Sequence, residues 1–510
     1  MIGHDRGAMV RPVPLTVLSP PASLAALMLA VVASSLLACA PQRELARSHN
    51  VLMSTAEEEK LGDKEAESVA GRIGFYDDED VQAYVQDIGE RIARNSPRRE
   101  IRYRFHVVEM VEPNAFALPG GHIYVSRGLL TLVNSEEELA NVLAHEVAHV
   151  ALQHHAYREL EVRKAKVIGA LATLIGALAG GPGGAMVAAQ TGMGAAQGMI
   201  AAYGRDQERE SDSMGQALAR DAGWDPLAMA SFLASLDQHS RLERGSSRRA
   251  GYFDTHPGSI ERLTSAAVRY EHETPLPDDE RGREDYLEEV DGMVVGQNPA
   301  EGFFVGGRFI HPTLGFTMRF PDGWHTANEP AAVRAISPQG NAMVILEMQG
   351  KGNDPEAAAR EYSEKVDAPL SDTKSHRTNG NPSFSGRTRF DLEGSKVKAD
   401  ITWIAHRGRI YRIMGVLPSG RLALGGDFGR AARSFRRIGA SEADGFRITR
   451  LRVTEAKAGE TLDEISLRSR NQWVRDETAV MNGRHVDAPF EGGELVKIAV
   501  SERWVPEPLD

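Results

Sequence analysis

The sequence predicts an α+β protein with a mainly helical first half that carries a small edge sheet, then an α+β domain, then a small βααβ module. Three observations predict this order. Apolar residues recur at helical spacing from about residue 58 to 269. From about residue 300, short strand-like runs alternate with Pro-Asp-Gly and Pro-Gln-Gly turns. The last segment, at 446–502, forms a separate small unit marked by the runs Ala458–Leu462, Met481–Gly483 and Gly492–Ile498.

Length and charge narrow the classes of protein. A chain of 510 residues is too long for one hydrophobic core. Its formal net charge of -12 argues against a nucleic-acid partner, because phosphate binding needs a basic face. The predicted division is a signal peptide at 1–38, a tether at 39–57, a first domain at 58–275, an acidic linker at 276–291, an α+β domain at 292–440 and a terminal module at 446–502.

The N-terminal segment predicts export and lipidation. Arg6 and Arg11 precede an apolar stretch of signal-peptide length that ends in Leu-Leu-Ala-Cys39, which resembles a bacterial lipobox. Cys39 is the only cysteine, so no disulfide forms within the chain. A buried thiol after an ordinary signal peptide is the alternative. Because Ala40 is not the Asp of an inner-membrane retention signal, we expect an outer-membrane lipoprotein that faces the periplasm.

The pentapeptide at 145–149, His-Glu-Val-Ala-His, is the strongest chemical signal. Ser135 and Glu138 predict a capping box at the start of its helix. His145 and His149, four residues apart, lie on one side of that helix and are spaced to bind one metal ion. Glu146 is placed to take a proton from a water molecule at the metal. The pentapeptide also arises by chance, so the rest of the chain has to support a zinc site.

A zinc site of this kind needs a third protein ligand. His155 has the metzincin spacing, but that class needs a glycine where this chain has Leu152. The helix is therefore expected to continue, so that His155 points elsewhere. His154 and His155 are interpreted as a polar helix end, where imidazolium suits the helix dipole.

The better source of a third ligand is the segment 205–215. Glu208 and Asp212 are four apart on a predicted helix and face the same way. One carboxylate could bind zinc while the other accepts a hydrogen bond from a ligating histidine. Glu210 is a rival on another side of the helix, whereas the small residues Ser211 and Gly215 allow close helix packing. A solvated acidic helix is the alternative interpretation.

These motifs together resemble the gluzincin family that contains the CAAX prenyl endopeptidase and its soluble bacterial relatives, over about residues 58–270. Further matching segments are Asn114–Gly121, His122–Leu130, Glu138–Ala144, Asp221–Pro226 and Thr255–Pro257 with Arg262. The resemblance implies that His145, His149 and Glu208 hold one zinc ion and that Glu146 is the general base. It also implies that Asp212 orients a ligating histidine and that Arg262 lies behind the ligands.

The resemblance to the periplasmic lipoprotein branch implies substrates among misfolded or unassembled envelope proteins. An extended peptide is expected to add as a strand along the segment 114–125. The predicted substrate-binding residues there are Asn114, Phe116, Ala117, Leu118, Pro119 and Gly120. His256 has two open roles, either steadying the tetrahedral oxyanion or occupying the fourth zinc position and holding the enzyme latent. A plain turn residue before Pro257 is the third possibility.

Three further segments carry weaker predictions. Residues 167–202 are rich in Ala and Gly and predict a helical hairpin beside the active site. Residues 300–347 are similar to PsbP-like domains. The terminal module is arranged like a LysM module, a fold that typically binds N-acetylglucosamine polymers such as peptidoglycan. A small domain that merely packs on its neighbour is the alternative.

The sequence thus favours a zinc endopeptidase tethered to the outer membrane. One competing hypothesis is a non-proteolytic chaperone or scaffold that binds peptidoglycan through the LysM-like module. Another is a hydrolase that acts on peptidoglycan itself. An intact Glu146 argues against a scaffold, which needs no base at that position.

Overall fold

The structure, a computed structural model, describes residues 53–156, 203–243, 251–257, 259–272, 280–338, 342–392, 395–418 and 425–506. The predicted signal peptide, Cys39, most of the tether and the predicted hairpin at 167–202 lie outside the described residues. In the ranges that are described, no helix is long and apolar enough to cross a membrane. The described residues all belong to one compact unit, Val51–Asp510.

Helices dominate the first part of the described chain. The helix of the histidine pentapeptide, α4, is central to them and buried along almost its whole length. The helices up to residue 290 are α1 Thr55–Arg72, α2 Glu79–Ala93, α3 Arg127–Leu132, α4 Glu136–Ala151, α5 Arg205–Asp221, α6 Ala228–Glu243, α7 Tyr252–Thr255, α8 Ser259–Arg269 and α9 Glu280–Val290.

The start of α4 differs in one detail from the predicted capping box. The Ser135 hydroxyl accepts from the backbone N–H of Glu138, as a helix cap should. Glu138 does not reach back to Ser135, however. Its carboxylate accepts instead from the backbone N–H of Asn134, at 2.9 Å, and from the hydroxyl of Ser231 on α6, at 2.6 Å. A tertiary partner therefore redirects the carboxylate that the local sequence assigns to the cap.

A three-stranded sheet lies beside α4. Its strands are β1 Arg104–Val108, β2 Ala115–Ala117 and β3 His122–Ser126, in the order β1-β3-β2. β3 runs parallel to β1 and antiparallel to β2. β2 is therefore an edge strand, and it packs on the side of the sheet that contacts α4.

The middle of the chain is built on antiparallel sheets. Strands β4 Phe303–Val305, β5 Arg308–His311, β6 Phe316–Arg319 and β14 Arg436–Arg437 form one sheet in the order β14-β6-β5-β4. A seven-stranded sheet has the order β10-β11-β12-β13-β9-β8-β7. Its strands are β7 His325–Glu329, β8 Ala332–Ile336, β9 Met343–Lys351, β10 Ser371–Thr378, β11 Asn381–Leu392, β12 Ser395–His406 and β13 Arg409–Pro418.

Two helices cover the seven-stranded sheet from opposite faces. Trp403 on one face of β12 packs with α10 Pro355–Lys365, whereas its neighbour Ile404 packs with α11 Gly425–Ser434. This alternation follows from the two-residue period of a strand. The short helix α12 Ala440–Ala443 leads to the last module. The predicted mixed α+β class is confirmed.

The last module consists of β15 Arg447–Glu455, α13 Leu462–Ser469, α14 Arg475–Met481 and β16 Leu495–Arg503, with the two strands paired antiparallel. It packs against the first half of the chain. The fully buried ammonium of Lys497 donates to the backbone carbonyls of Thr131 (2.9 Å), Leu132 (3.0 Å) and Val133 (2.6 Å) at the C-terminal end of α3. The cation thereby satisfies carbonyls that a helix end leaves open.

The acidic segment predicted as a linker is different in the structure. Helix α9 lies within it, and Tyr286 and Leu287 on that helix are fully buried. Arg283 donates to the backbone carbonyl of Asn134, just ahead of α4. The acidic residues face outward, and their abundance concealed the apolar side of a packed helix.

Candidate active site

The site forms where α4 and α5 lie against each other. The two backbones approach closely at Gly215, where an added Cβ would lie 2.9 Å from the backbone N and Cα of His145. Only glycine permits this distance without moving one helix. The close approach places Glu208 and Asp212 of α5 opposite His145 and His149 of α4.

Four buried side chains converge on one point: His145, His149, Glu208 and His256. The Nε2 atoms of His145 and His149 are 3.0 Å apart. Glu208 Oε1 lies 3.4 Å from His149 Nε2, and Glu208 Oε2 lies 3.6 Å from His145 Nε2. His256 Nδ1 lies 3.1 Å from Glu208 Oε1 and 3.4 Å from His145 Nε2.

These distances fit a zinc ion. Tetrahedral zinc holds nitrogen and oxygen ligands at about 2.0–2.2 Å, which separates neighbouring ligand atoms by roughly 3.4 Å. The five separations given above range from 3.0 to 3.6 Å, and all the ligand atoms lie within 4.8 Å of one another. Imidazole nitrogens and carboxylate oxygens are ligand atoms that zinc accepts. The residues present therefore fit the predicted metal, with His256 in addition to the three predicted ligands.

Glu146 points into the same buried space. The residue is fully buried, and neither of its carboxylate oxygens accepts a hydrogen bond from the described part of the protein. Its Oε1 lies 3.6 Å from His256 Nε2. Burial raises the pKa of Glu146, while the charges of His256 and His145 partly oppose this shift. A carboxylate with a raised pKa suits proton transfer near neutral pH.

Asp212 contacts His145 on the ring side opposite the ligand cluster, and Arg262 holds Asp212 in place. Asp212 Oδ1 lies 3.0 Å from His145 Nδ1, on the ring side opposite the ligand cluster. Arg262 binds Asp212 through two parallel hydrogen bonds of 2.8 and 2.7 Å and also pairs with Glu208 Oε2 at 2.6 Å. Burial acts to raise the pKa of Asp212, but Arg262 and His145 outweigh it and lower the pKa to about 2.

The interpretation of His154 and His155 as a polar helix end is wrong. α4 ends at Ala151, and Gln153 has a positive φ of 55°, so the chain turns back instead of continuing. His154 and His155 are buried, at 1% and 9% exposure. His154 Nδ1 lies 3.0 Å from His149 Nδ1, and the ring of Tyr203 stacks on His149 with centroids 3.9 Å apart.

The tertiary reason for this turn lies in Gln153. Its side-chain amide donates to the backbone carbonyl of Met53 and to the buried carboxylate of Glu58 on α1. Those contacts hold Gln153 in its left-handed conformation, which is costly for residues other than glycine. The absent glycine at position 152 thus did not prevent the turn. The predicted conclusion that His155 is not placed as a ligand agrees with its contact to the hydroxyl of Tyr203.

His256 follows the one-turn helix α7. Its ring stacks on Tyr252, four residues earlier, with centroids 4.3 Å apart and an interplanar angle of 18°. The charges of Glu208 and Glu146 raise the pKa of His256 against the opposing effect of burial. Sequence reasoning missed Tyr203, Tyr252 and His154. A Tyr one helical turn ahead of His256 and a His pair after the pentapeptide were the available signals.

The predicted substrate-binding residues divide into two groups. Phe116 and Ala117 lie on the edge strand β2, and the Phe116 ring stacks on Tyr124 of β3. Pro119 and Gly120 lie instead in a tight 3-10 turn. That turn packs under α1 so closely that a Cβ on Gly62 would lie 1.9 Å from the Pro119 carbonyl oxygen.

Asn114 and Leu118 flank the edge strand. The backbone N–H of Asn114 donates to the hydroxyl of Ser126, and its buried side-chain oxygen has no hydrogen-bond partner in the described residues. The backbone N–H of Leu118 donates to the carbonyl of His122. The structure therefore brings the three predicted ligands, Glu146, Asp212, Arg262 and His256 into one cluster, and the edge strand contacts α4.

The helical frame and the site resemble those of HExxH metallopeptidases in which a second helix supplies the third ligand. Residues 79–269 match the model of Peptidase family M48. The family model thus supports the predicted resemblance for this segment, which is less than half of the chain. The CAAX-like branch stays a prediction.

Two relatives of the chain have names that describe proteases. A beta-barrel assembly-enhancing protease of Escherichia coli (strain K12) is 29% identical over 237 residues, which is 46% of this chain and 48% of the relative. Metalloprotease LoiP of the same organism is 31% identical and is matched over 34% of this chain and 65% of its own length. The chain spans about half the length of the first of these curated relatives. Together with the family match, they support a metalloendopeptidase.

The comparison with solved structures does not identify the fold of the middle or terminal part of the chain. The solution structure of cyanobacterial PsbP from Synechocystis sp. PCC 6803 is 15% identical and covers 28% of this chain and 98% of its own, with a TM-score of 0.22. A TM-score this low carries no weight. The PsbP-like and LysM-like assignments therefore stay predictions.

Proposed function

We propose that this chain is a zinc endopeptidase that hydrolyses peptide bonds of misfolded or unassembled envelope proteins in the periplasm. The observation that carries this proposal is the ligand cluster of His145, His149 and Glu208 with Glu146 directly beside it. All four residues are buried to 1% exposure or less, so the charges act in a low-dielectric space.

Each residue has a distinct role in this proposal. His145, His149 and Glu208 would hold the zinc ion, which when bound polarises the attacking water and the peptide carbonyl. Glu146 takes the proton from the attacking water and passes it to the leaving amine. Asp212 accepts the Nδ1 proton of His145 and so orients that ring, and Arg262 holds Asp212 in its ionised form.

The substrate peptide is proposed to add along β2. Because β2 is the edge of its sheet and packs against α4, an extended chain paired with Phe116 and Ala117 would pass the ligand cluster. Asn114 and Leu118 would extend this pairing. Pro119 and Gly120 fix the turn under α1 and would act by holding the strand rather than by touching the peptide.

The first experiment replaces Glu146 with Gln. The variant should keep zinc, because Glu146 is not a ligand, and should lose casein cleavage by a factor of at least about 100, since the general base is gone. Zinc content and casein cleavage are measured on the same preparations. If Glu146→Gln cleaves casein as fast as the wild type, the protease proposal is wrong.

His256 is proposed to be a fourth zinc ligand that holds the enzyme latent while it occupies that position. Its Nδ1 atom belongs to the cluster, whereas a catalytic zinc site keeps one position open for water or substrate. Removal of a latent ligand by His256→Ala should raise casein cleavage. If His256 instead steadies the oxyanion, the same variant should lower cleavage by about 100- to 1,000-fold.

Location and anchoring extend the proposal. The segment before residue 53 would be cleaved ahead of Cys39 and lipidated there, tethering the enzyme to the outer membrane on its periplasmic side. The name of the E. coli relative refers to the assembly of β-barrels, which is consistent with envelope substrates for this chain. Replacement of Cys39 with Ala and fractionation of the cells tests the anchor, because the variant should leave the membrane fraction.

The terminal module is proposed to be LysM-like and to bind peptidoglycan. Its order of strand, two helices and strand is that of the predicted module. A co-sedimentation assay of the whole chain with insoluble peptidoglycan tests this. If the chain stays in the supernatant, the module serves only as a structural neighbour of the first domain, a role that the buried Lys497 already indicates.

A further inference from the structure

The buried imidazole of His154 contacts His149 on the ring side opposite the ligand cluster, and the proposed mechanism gives it no role. His154 is 1% exposed, and its Nδ1 atom lies 3.0 Å from Nδ1 of His149. We propose that His154 is a positioning residue for the metal ligand His149: it accepts the Nδ1 proton of His149 and thereby fixes the tautomer and the ring plane of that ligand. The inference rests on the proposed zinc site.

The direction of this hydrogen bond follows from the metal geometry. His149 presents Nε2 to the cluster, where it lies 3.0 Å from His145 Nε2 and 3.4 Å from Glu208 Oε1. A neutral imidazole that offers Nε2 to a metal must carry its proton on Nδ1. His149 Nδ1 is therefore a donor, and His154 Nδ1 must be the acceptor.

The other ring nitrogen of His154, Nε2, extends this series of hydrogen bonds to Glu210. With Nδ1 as acceptor, the proton of His154 lies on Nε2, which is 3.3 Å from the carboxylate Oε2 of Glu210. The Ser211 hydroxyl lies 3.2 Å from His154 Nδ1, on the side of the ring that faces His149. Glu210, the predicted rival for the metal, thus supports the ligand set through His154 instead of joining it.

The two histidines of the pentapeptide are consequently supported by different chemistry. The Nδ1 atom of His145 contacts the ionised carboxylate of Asp212. The Nδ1 atom of His149 instead contacts the neutral imidazole of His154, whose own partner, Glu210, has a side chain that is 44% exposed. Outer partners of ligating histidines orient the ring and raise its basicity. His149 should therefore depend on His154 mainly for orientation.

The face of the His149 ring is supported separately. Tyr203 stacks on it at an interplanar angle of 24°, and the Tyr203 hydroxyl lies 3.2 Å from His155 Nδ1. His154 therefore acts in the plane of the ligand ring, and its neighbour His155 acts on the face through Tyr203. Two adjacent residues after the turn at Gln153 thus restrain one ligand in two directions.

The test uses two amide variants of the whole chain. Asn places its side-chain oxygen close to the position of His154 Nδ1, whereas Gln places its amide near the position of Nε2. His154→Asn should therefore keep the acceptor for His149, and His154→Gln should lose it. The readout is the zinc dissociation constant from chelator competition, which does not depend on cleavage. We expect His154→Gln to weaken zinc binding by about 10- to 100-fold and His154→Asn by less than about threefold.

A matched control separates positioning from packing. His406 is also buried, at 4% exposure, but lies in the middle of the chain away from the cluster. His406→Gln should leave the zinc dissociation constant unchanged. Equal weakening by Asn and Gln at position 154, or no weakening by Gln, would overturn the positioning role. A wild-type chain without tight zinc binding would instead overturn the proposed function.

Discussion

Replacement of Gly215 with Ala tests how closely the two helices that carry the proposed zinc ligands must approach. In the middle of a helix this change normally stabilises a protein by about 0.5–1 kcal/mol, because glycine is the more flexible residue when unfolded. Here the new Cβ would lie 2.9 Å from the backbone of His145, whereas ordinary contact begins at 3.4 Å. Because backbone atoms cannot rotate away, α4 and α5 have to separate by about 0.5 Å, and such overpacking costs about 1–3 kcal/mol.

The separation acts on the metal site as well as on stability. Zinc ligands tolerate errors of about 0.2 Å in distance, so a shift of Glu208 relative to His145 and His149 exceeds this tolerance. We expect the free energy of unfolding of the metal-free protein to fall by about 1 kcal/mol. We also expect zinc binding to weaken at least tenfold, which is about 1.4 kcal/mol. Urea unfolding and chelator competition measure the two effects.

Gly71 provides the control for this prediction. It lies in α1, and a Cβ added there would meet nothing within 4 Å. Gly71→Ala should therefore stabilise the protein by up to about 1 kcal/mol and leave zinc binding unchanged. A Gly215→Ala variant as stable as Gly71→Ala, with wild-type zinc affinity, would refute the packing argument.

Two further predictions concern the rest of the molecule. Lys497→Met should lower the free energy of unfolding by about 2–4 kcal/mol in urea, because three carbonyls at the end of α3 lose a charged donor; an unchanged midpoint would contradict the buried contact. Burial lowers the pKa of His311 to about 4, so the unfolded chain binds more protons than the folded chain as the pH falls from 6.5 to 4. The free energy of unfolding should therefore fall by at most about 1.4 kcal/mol for each pH unit in that window. His311→Asn should flatten this pH dependence of urea unfolding, and an equally steep profile in the variant would argue against it.

Much of the site follows from local periodicity. The residues at 145 and 149 share one face of α4 because a helix repeats every 3.6 residues, and the same rule places Glu208 and Asp212 together on α5. The prediction of α4 needed only capping residues and apolar spacing. Residue spacing alone therefore places both carboxylates on one side of α5, whereas the assignment of Glu208 to the metal and of Asp212 to a supporting role came from the family resemblance.

The features that the sequence did not predict depend on long-range contacts. Glu138 has the sequence of a capping box, yet Ser231 from α6 redirects its carboxylate. The acidic segment before residue 291 has a linker composition, yet α9 buries Tyr286 and Leu287. Composition describes the exposed side of such a helix better than the buried side, and so it concealed the packing.

The sequence by itself predicted the pair of helices that carries the ligand candidates and the proposed base, because these residues lie three and four apart within single helices. The class of enzyme came from the resemblance of several motifs in the right order. Only the tertiary structure decided that His256 joins the ligand cluster and that His154 lies behind His149. A turn at Gln153, stabilised by Glu58 about a hundred residues earlier in the chain, produces the second result. Such turns cost free energy locally, so only contacts between distant segments establish them.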